Sequence, residues 1–214
     1  MSVTATGVRC RRQRVTVLFV DIVGFTAMVD DLDCADVHAL QTDYFALVSA
    51  AVRECGGVVE KFVGDAVMAV FGIRTGVREG AASAVRAGLL VQEALRGHRL
   101  AGRFEVCTRV GLATGEVIVD LDAARDGGHA MVSGSVVNTA ARLQAYAPHD
   151  TTVVCAATRE LTGDVIAYQD LPPAVLAGKA NPVGLWRALH PQGMQARALH
   201  PQGALAWALQ AAMN

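Results

Sequence analysis

Two apolar runs in this chain end in a carboxylate, and that pairing restricts the fold more than any bulk property. VTVLFVD (15–21) is a strand-length run closed by Asp21, and VVEKFVGD (58–65) is a second run closed by Gly64-Asp65. The second continues into AVMAVFG, so it reads as a hairpin whose turn carries Asp65. If the two strands are neighbours, both carboxylates converge at one edge of a sheet. Hard divalent cations such as Mg2+ take oxygen ligands of this kind and commonly bridge to substrate phosphates. The competing reading is plain turn chemistry, since Asp is common where a strand stops.

The rest of the chain alternates helical and extended patterns. Apolar residues recur at Val37, Leu40, Tyr44, Leu47, Val48 and Val52, close to helical period, and Gly56-Gly57 stops that helix. A second helix is expected near 78–97 and a third over 135–146. Phe104–Thr114 and Glu116–Asp120 read as two strands with Gly115 between them, followed by the polar loop DAARDGGH. TTVVCA, DVIAYQDL and VGLWRAL are short late strands, with TRELTG linking the first two. Short hairpin joins and a helix-rich middle favour an α+β sandwich over a doubly wound sheet.

Of 214 residues 52% are apolar, enough for a substantial core in a single domain, and the 18% charged content argues against disorder. A net charge near −1 makes no electrostatic case for nucleic acid or an anionic membrane. The arginines of VRCRRQR (8–14) read as a solvated lead-in, so residues 1–13 stand before a domain spanning 14–189. No apolar run reaches membrane-helix length, and MSVTATG lacks a signal-peptide pattern. Cys10, Cys34, Cys55, Cys107 and Cys155 are odd in number and form no C-x-x-C, so they are expected to be buried small hydrophobes. The expected location is cytoplasmic. Residues 190–214 read as a weakly ordered tail in which RALHPQG occurs twice, at 187–193 and 197–203.

Three segments, VTVLFVDIVGFT (15–26), VVEKFVGDAVMAVFG (58–72) and VSGSVVNTAARLQ (132–144), together resemble the class III nucleotide cyclase catalytic domain. RVGLATGEV (109–117) fits as well, and the resemblance covers about residues 14–189. It implies a ferredoxin-like α/β sandwich, of the α+β class, and a head-to-tail homodimer with active sites in the interface. It further implies ATP as substrate and 3′,5′-cyclic AMP with pyrophosphate as products. Asp21 and Asp65 match the aspartates that hold two Mg2+ or Mn2+ ions, with the backbone carbonyl of Ile22 completing one site. Backbone N–H groups of Gly24, Phe25 and Thr26 would lie under the triphosphate, where a helix start favours anions. Lys61 matches the lysine that reads the purine edge. Asn138 and Arg142, four apart on one helix, match the pair that orients the ribose and stabilises the transition state. Lys179, in AGKANPV, lies near the family's late phosphate-contacting lysine.

One position departs from the pattern. Met131 stands where the family's adenylyl cyclases usually carry an Asp or Thr for the adenine amino group. Met has no donor and only a weak acceptor, so ATP preference is expected to be loose. A register shift in the loop before it would bring His129 to that place. A second reading is a degenerate cyclase-like domain kept for regulation or dimerisation. Met131 and the tail favour it, while the intact Asp21, Asp65, Lys61, Asn138 and Arg142 oppose it. A diguanylate cyclase or polymerase-palm relative would show GG-[DE]-[DE]-F at the hairpin, where this chain has VGDAV.

Overall fold

β-Branched, fully apolar stretches dominate the centre of this chain, and they pair into one sheet. The computed structural model describes residues 2–5, 8–120, 132–178 and 181–190. In chain order the strands and helices are β1 (Ser2–Ala5), β2 (Val8–Ile22), α1 (Phe25–Val29), α2 (Cys34–Glu54), β3 (Val58–Val63), β4 (Ala66–Phe71) and α3 (Val77–Leu95). They continue with β5 (Thr108–Asp120), β6 (Val132–Ser133), α4 (Ser135–Tyr146), β7 (Thr151–Val154), α5 (Ala156–Thr162), β8 (Tyr168–Ala174) and β9 (Val183–Ala188).

The main path of the sheet runs β3-β4-β2-β5-β7-β9-β8. Its first four strands, with α2 and α3 as the connections, form the antiparallel βαββαβ arrangement of a ferredoxin-like fold. The α+β expectation is met. One core cluster packs α2 and α3 on one face of the sheet, with Leu18, Tyr44, Phe71, Val85 and Leu112 at its centre. The other joins α4 to the opposite face through Val17, Met68, Val136, Ala140 and Leu143. Val15, Val17, Leu18 and Val20 are buried on both sides of β2, as a central strand covered on two faces requires.

Four expectations need correction. Residues 8–14 are not a solvated lead-in. They are the first half of β2, paired with β5 from Cys10↔Asp120 onward, so Arg11, Arg12 and Arg14 belong to a strand and are exposed on it. Arg12 pairs with Glu116 at 3.2 Å, and Gln13 Nε2 donates to the carbonyls of Gly72 and Ile73. The second concerns β5, which is one strand: Gly115 does not break it but sits opposite Val15 and admits Val136, which would lie 3.2 Å from a Cβ placed there. Third, the TRELTG link belongs to the unforeseen helix α5. Last, the cysteines are not core residues, since Cys34 and Cys107 are exposed and the other three half-buried. The duplicated tail beyond His190 lies outside the described residues.

The contact that places the functional face is the seating of α4 on β5. Gly111 lies beneath the helix, and a Cβ there would stand 2.5 Å from Ala140 O and closer still to Gln144 N. Only a residue without a side chain allows helix and strand backbones to approach so closely. Gly111→Ala is expected to lift α4 and to destabilise the fold by roughly 1–3 kcal/mol, the usual range for overpacking. Urea unfolding of the two proteins tests this, and an unchanged midpoint would contradict the close seating.

Candidate active site

Asp21 is the penultimate residue of β2, opposite Arg109 of β5. Asp65 occupies the two-residue turn between β3 and β4, after Gly64 at φ +63°, a conformation glycine adopts without steric cost. The expected convergence occurs. Asp65 Oδ2 accepts the Ile22 N–H at 3.0 Å, which ties the hairpin turn to the end of β2. The expected role of Ile22 is a backbone carbonyl offered to a cation; the contact present is instead its N–H on Asp65.

The two carboxylates crowd each other. Burial pushes the Asp21 carboxyl up, and the adjoining Asp65 carboxylate pushes it further, to about 7. A hydrogen bond from Gln144 and the charge of Arg109 act in the opposite direction without cancelling this. Gln144 Nε2 donates to Asp21 Oδ2 at 3.1 Å from the buried side of α4. Beneath the pair lies Tyr44 of α2, fully buried, its hydroxyl without a hydrogen-bond partner among the described residues. Burial raises the Tyr44 hydroxyl well above its ordinary range, and the charges of Asp21 and Asp65 add to the effect.

This donor set suits a hard cation. It offers oxygen ligands, excess negative charge and a raised carboxyl that a positive charge would return to its ionised form. Among the described residues no group of three or more His, Cys, Asp or Glu side chains forms a complete metal cage. Two carboxylates leave most coordination positions to water and substrate oxygens, which is how Mg2+ usually binds beside phosphates.

The other expected residues that fall among the described ones belong to α1 and its N-cap, β3 and α4. Gly24, at φ +70°, is the N-cap of the short α1, with Phe25 packed partly into the core and Thr26 exposed. Lys61 sits on β3 opposite Met68, two strands from β2. Asn138 is exposed on the first turns of α4. Arg142 lies over the loop between β8 and β9, its Nη2 at 3.2 Å from where a Cβ of Gly178 would stand. That loop leads into Lys179. Lys179, Met131 and His129 lie outside the described residues.

The structure thus joins Asp21, Asp65, Ile22 and Gln144, and it leaves Asn138 and Arg142 apart from them. No hydrogen bond or ion pair among the described residues links either to the aspartates. At about 100° per residue, Gln144 is roughly 200° around α4 from Arg142, so the helix turns one face to its own acidic pair and presents Asn138 and Arg142 elsewhere. Gln144 and Tyr44 were missed by motif reading. Both occupy apolar stripes, Val136–Ala140–Gln144 and Leu40–Tyr44–Val48, and a polar group on such a stripe is the signal that marks them.

Residues 8–185 match the sequence family described as the Adenylate and Guanylate cyclase catalytic domain. Adenylate cyclase 1 of Rhizobium meliloti (strain 1021) is 28% identical over 184 residues, which are 83% of this chain and 28% of that protein. The chain spans only 17% to 28% of the length of several curated relatives of this kind. Among solved structures, the adenylyl cyclase CyaB from P. aeruginosa superposes with a TM-score of 0.76 at 26% identity, covering 89% of this chain and 98% of that one. The guanylyl cyclase Cya2 superposes with a TM-score of 0.72 at 26% identity, covering 83% and 92%.

Asp21 gives the site a pH signature. Its carboxyl ionises near 3.8 ordinarily and near 7 in the fold, so the folded state holds an extra proton between those values. Its contribution to stability is therefore greatest below pH 3.8 and is lost as the pH rises through about 7. Without divalent cations, Asp21→Asn should melt above wild type near pH 8, by about 2–4 °C per kcal/mol recovered, with the gap closing toward pH 4. Equal melting temperatures at the higher pH would show that the two carboxylates do not repel.

Proposed function

The chain belongs to the adenylate and guanylate cyclase catalytic domain family, and from that premise we propose that it converts ATP to 3′,5′-cyclic AMP and pyrophosphate. The observation that carries the reading is the convergence of Asp21 and Asp65 at the end of β2, tied together through Ile22.

In the reaction the ribose 3′-oxygen bonds to the α-phosphorus while the bond from that phosphorus to pyrophosphate breaks. Two Mg2+ or Mn2+ ions, when bound, would acidify the 3′-hydroxyl and offset the triphosphate charge. Asp21 and Asp65 would hold them, with the Ile22 carbonyl as a further ligand. Gln144 keeps the Asp21 carboxylate in one orientation. The N–H groups of Gly24, Phe25 and Thr26 donate hydrogen bonds to phosphate oxygens. Asn138 positions the ribose, which is an orientation effect. Arg142 faces the charge that grows on the α-phosphoryl oxygens, so its contribution is largest in the transition state. Lys179, following the loop beneath Arg142, adds a phosphate contact.

The separation of Asn138 and Arg142 from the acidic pair supports a site assembled from two chains. In a head-to-tail homodimer, one subunit brings Asp21 and Asp65, and its partner brings Lys61, Asn138 and Arg142. Base preference follows from Lys61, a donor that suits adenine. Met131 contributes no second polar contact, so GTP is turned over at a measurable fraction. ATP as substrate would put the reaction in the cytoplasm; separately, among the described residues no helix is long and apolar enough to cross a membrane.

Product analysis after incubation with ATP or GTP and Mg2+ or Mn2+ tests the reading directly. Absence of cyclic product from both nucleotides would return the chain to the non-catalytic, dimerisation role. Asp21→Ala and Asp65→Ala should each abolish turnover in a folded protein, and activity retained at saturating Mn2+ would remove the two-cation assignment.

Complementation tests the shared site. Asp21→Ala and Arg142→Ala are each expected to be inactive alone, and mixing should restore up to about a quarter of wild-type activity through heterodimers with one intact site. No recovery after demonstrated subunit exchange would rule out assembly across the interface.

A further inference from the structure

Val59 and Phe62 should face opposite sides of β3, because side chains alternate along a strand. They do not. Val59 packs against the core cluster formed with α2 and α3, and the Phe62 ring lies 4.5 Å from Phe45 of α2. The cause is a bulge: Val59 pairs with Ala69 and Lys61 with Met68, so Glu60 has no partner of its own across the hairpin. Glu60 and Lys61, adjacent in sequence, are thereby turned to the same face of the sheet, away from α2.

The Glu60 side chain is fully buried, while the Lys61 side chain is 39% exposed, and their charged groups stand 3.4 Å apart. Neither Glu60 oxygen has a hydrogen-bond partner among the described residues. A buried carboxylate in this state disfavours folding unless a cation compensates it, and an apolar residue of similar size would pack at lower cost. Lys61 supplies the compensation. Its ammonium group, on a flexible four-carbon stem, would otherwise sample many positions.

We propose that Glu60 is the positioning residue for base recognition, holding the Lys61 ammonium at one point so that the purine edge is read by an ion-paired Glu60–Lys61 dyad. The inference rests on the reading of Lys61 as the base contact. An ammonium group is a donor only. Adenine presents a ring-nitrogen acceptor at its N1 edge, whereas guanine presents an N–H there and an acceptor on its neighbouring exocyclic oxygen. A loose lysine swings to either acceptor, and one anchored from behind by a buried carboxylate meets only the first. The bulge supplies the anchor, because without it Glu60 would lie on the opposite face from Lys61.

The test is the ratio of kcat/KM for ATP and GTP in wild type, Glu60→Gln, Lys61→Ala and the double variant. The ratio of ATP to GTP affinity is read in parallel from displacement of a fluorescent ATP analogue, so one readout does not depend on turnover. Glu60→Gln keeps shape and removes charge. It is expected to narrow the ATP preference about tenfold, mainly through KM, with the melting temperature showing a folded protein. Lys61→Ala should narrow the ratio similarly, and the double variant should add nothing further, because both act through one contact. If Lys61→Ala narrows the ratio and Glu60→Gln leaves it unchanged, or if the two effects add, Glu60 is structural only and the base assignment of Lys61 stands. If Lys61→Ala leaves the ratio unchanged, the base assignment fails and the dyad with it. Should Glu60→Gln not fold, Glu60→Asp carries the same comparison, since it keeps the charge but withdraws it by one methylene.

Discussion

The hydrogen bond from the Ile22 N–H to Asp65 holds the site together, because it fastens the tip of one hairpin to the end of the central strand. Asp65 belongs to the β3–β4 turn, where the Gly64 carbonyl also accepts from Gln41 Nε2 at 3.5 Å and β4 pairs with β2 from Val67 onward. Fastened there, it is pressed against Asp21, and burial with this crowding pushes the Asp21 carboxyl up to about 7. The strain is electrostatic and local. Gln144 and Arg109 relieve part of it, and the Tyr44 hydroxyl, without a hydrogen-bond partner among the described residues, lies under it within the core. Two carboxylates forced together in this way make a place where positive charge is stabilising, which is the physical basis of a cation site.

Helix α4 connects this acidic centre to the rest of the functional surface. Gly111 allows the helix backbone to rest directly on β5, and Gln144 reaches Asp21 only because of that approach. The same helix turns Arg142 toward Gly178. A shift of the helix would therefore disturb the Asp21 carboxylate and the Asn138–Arg142 surface together. Such coupling is expected where a single rigid element carries polar groups on two of its faces.

Much of the fold was legible because its elements have strong local signals. The hairpin over 58–72, the helix near 135–146 and the stop at Gly56-Gly57 are written in periodicity and turn residues, and all are present. Other elements depend on partners distant in sequence. The arginine-rich 8–14 becomes strand because β5 offers a complete ladder from Cys10 onward. Gly115 looks like a break until Val136 is found above it. Helix α5 is short and weakly patterned, and it forms where α3 and β5 provide a surface.

Within the site, residue types and spacing offered Asp21 and Asp65 as carboxylates at strand ends, and the family resemblance picked out Asn138 and Arg142, which their spacing puts on one helical face. Local geometry suffices for these placements, since a strand end, a two-residue turn and an i,i+4 spacing are properties of short segments. The tertiary structure alone decided which groups meet. Gln144 follows Asp21 by more than a hundred positions, and Tyr44 reads as an ordinary core aromatic until the aspartates are placed above it. The pairing of Glu60 with Lys61 depends on a bulge set by the register of β3 against β4, and alternation along β3 would have separated the two. Register, close helix–sheet approach and the burial of charge are relations between segments, so no single stretch of this chain encodes them.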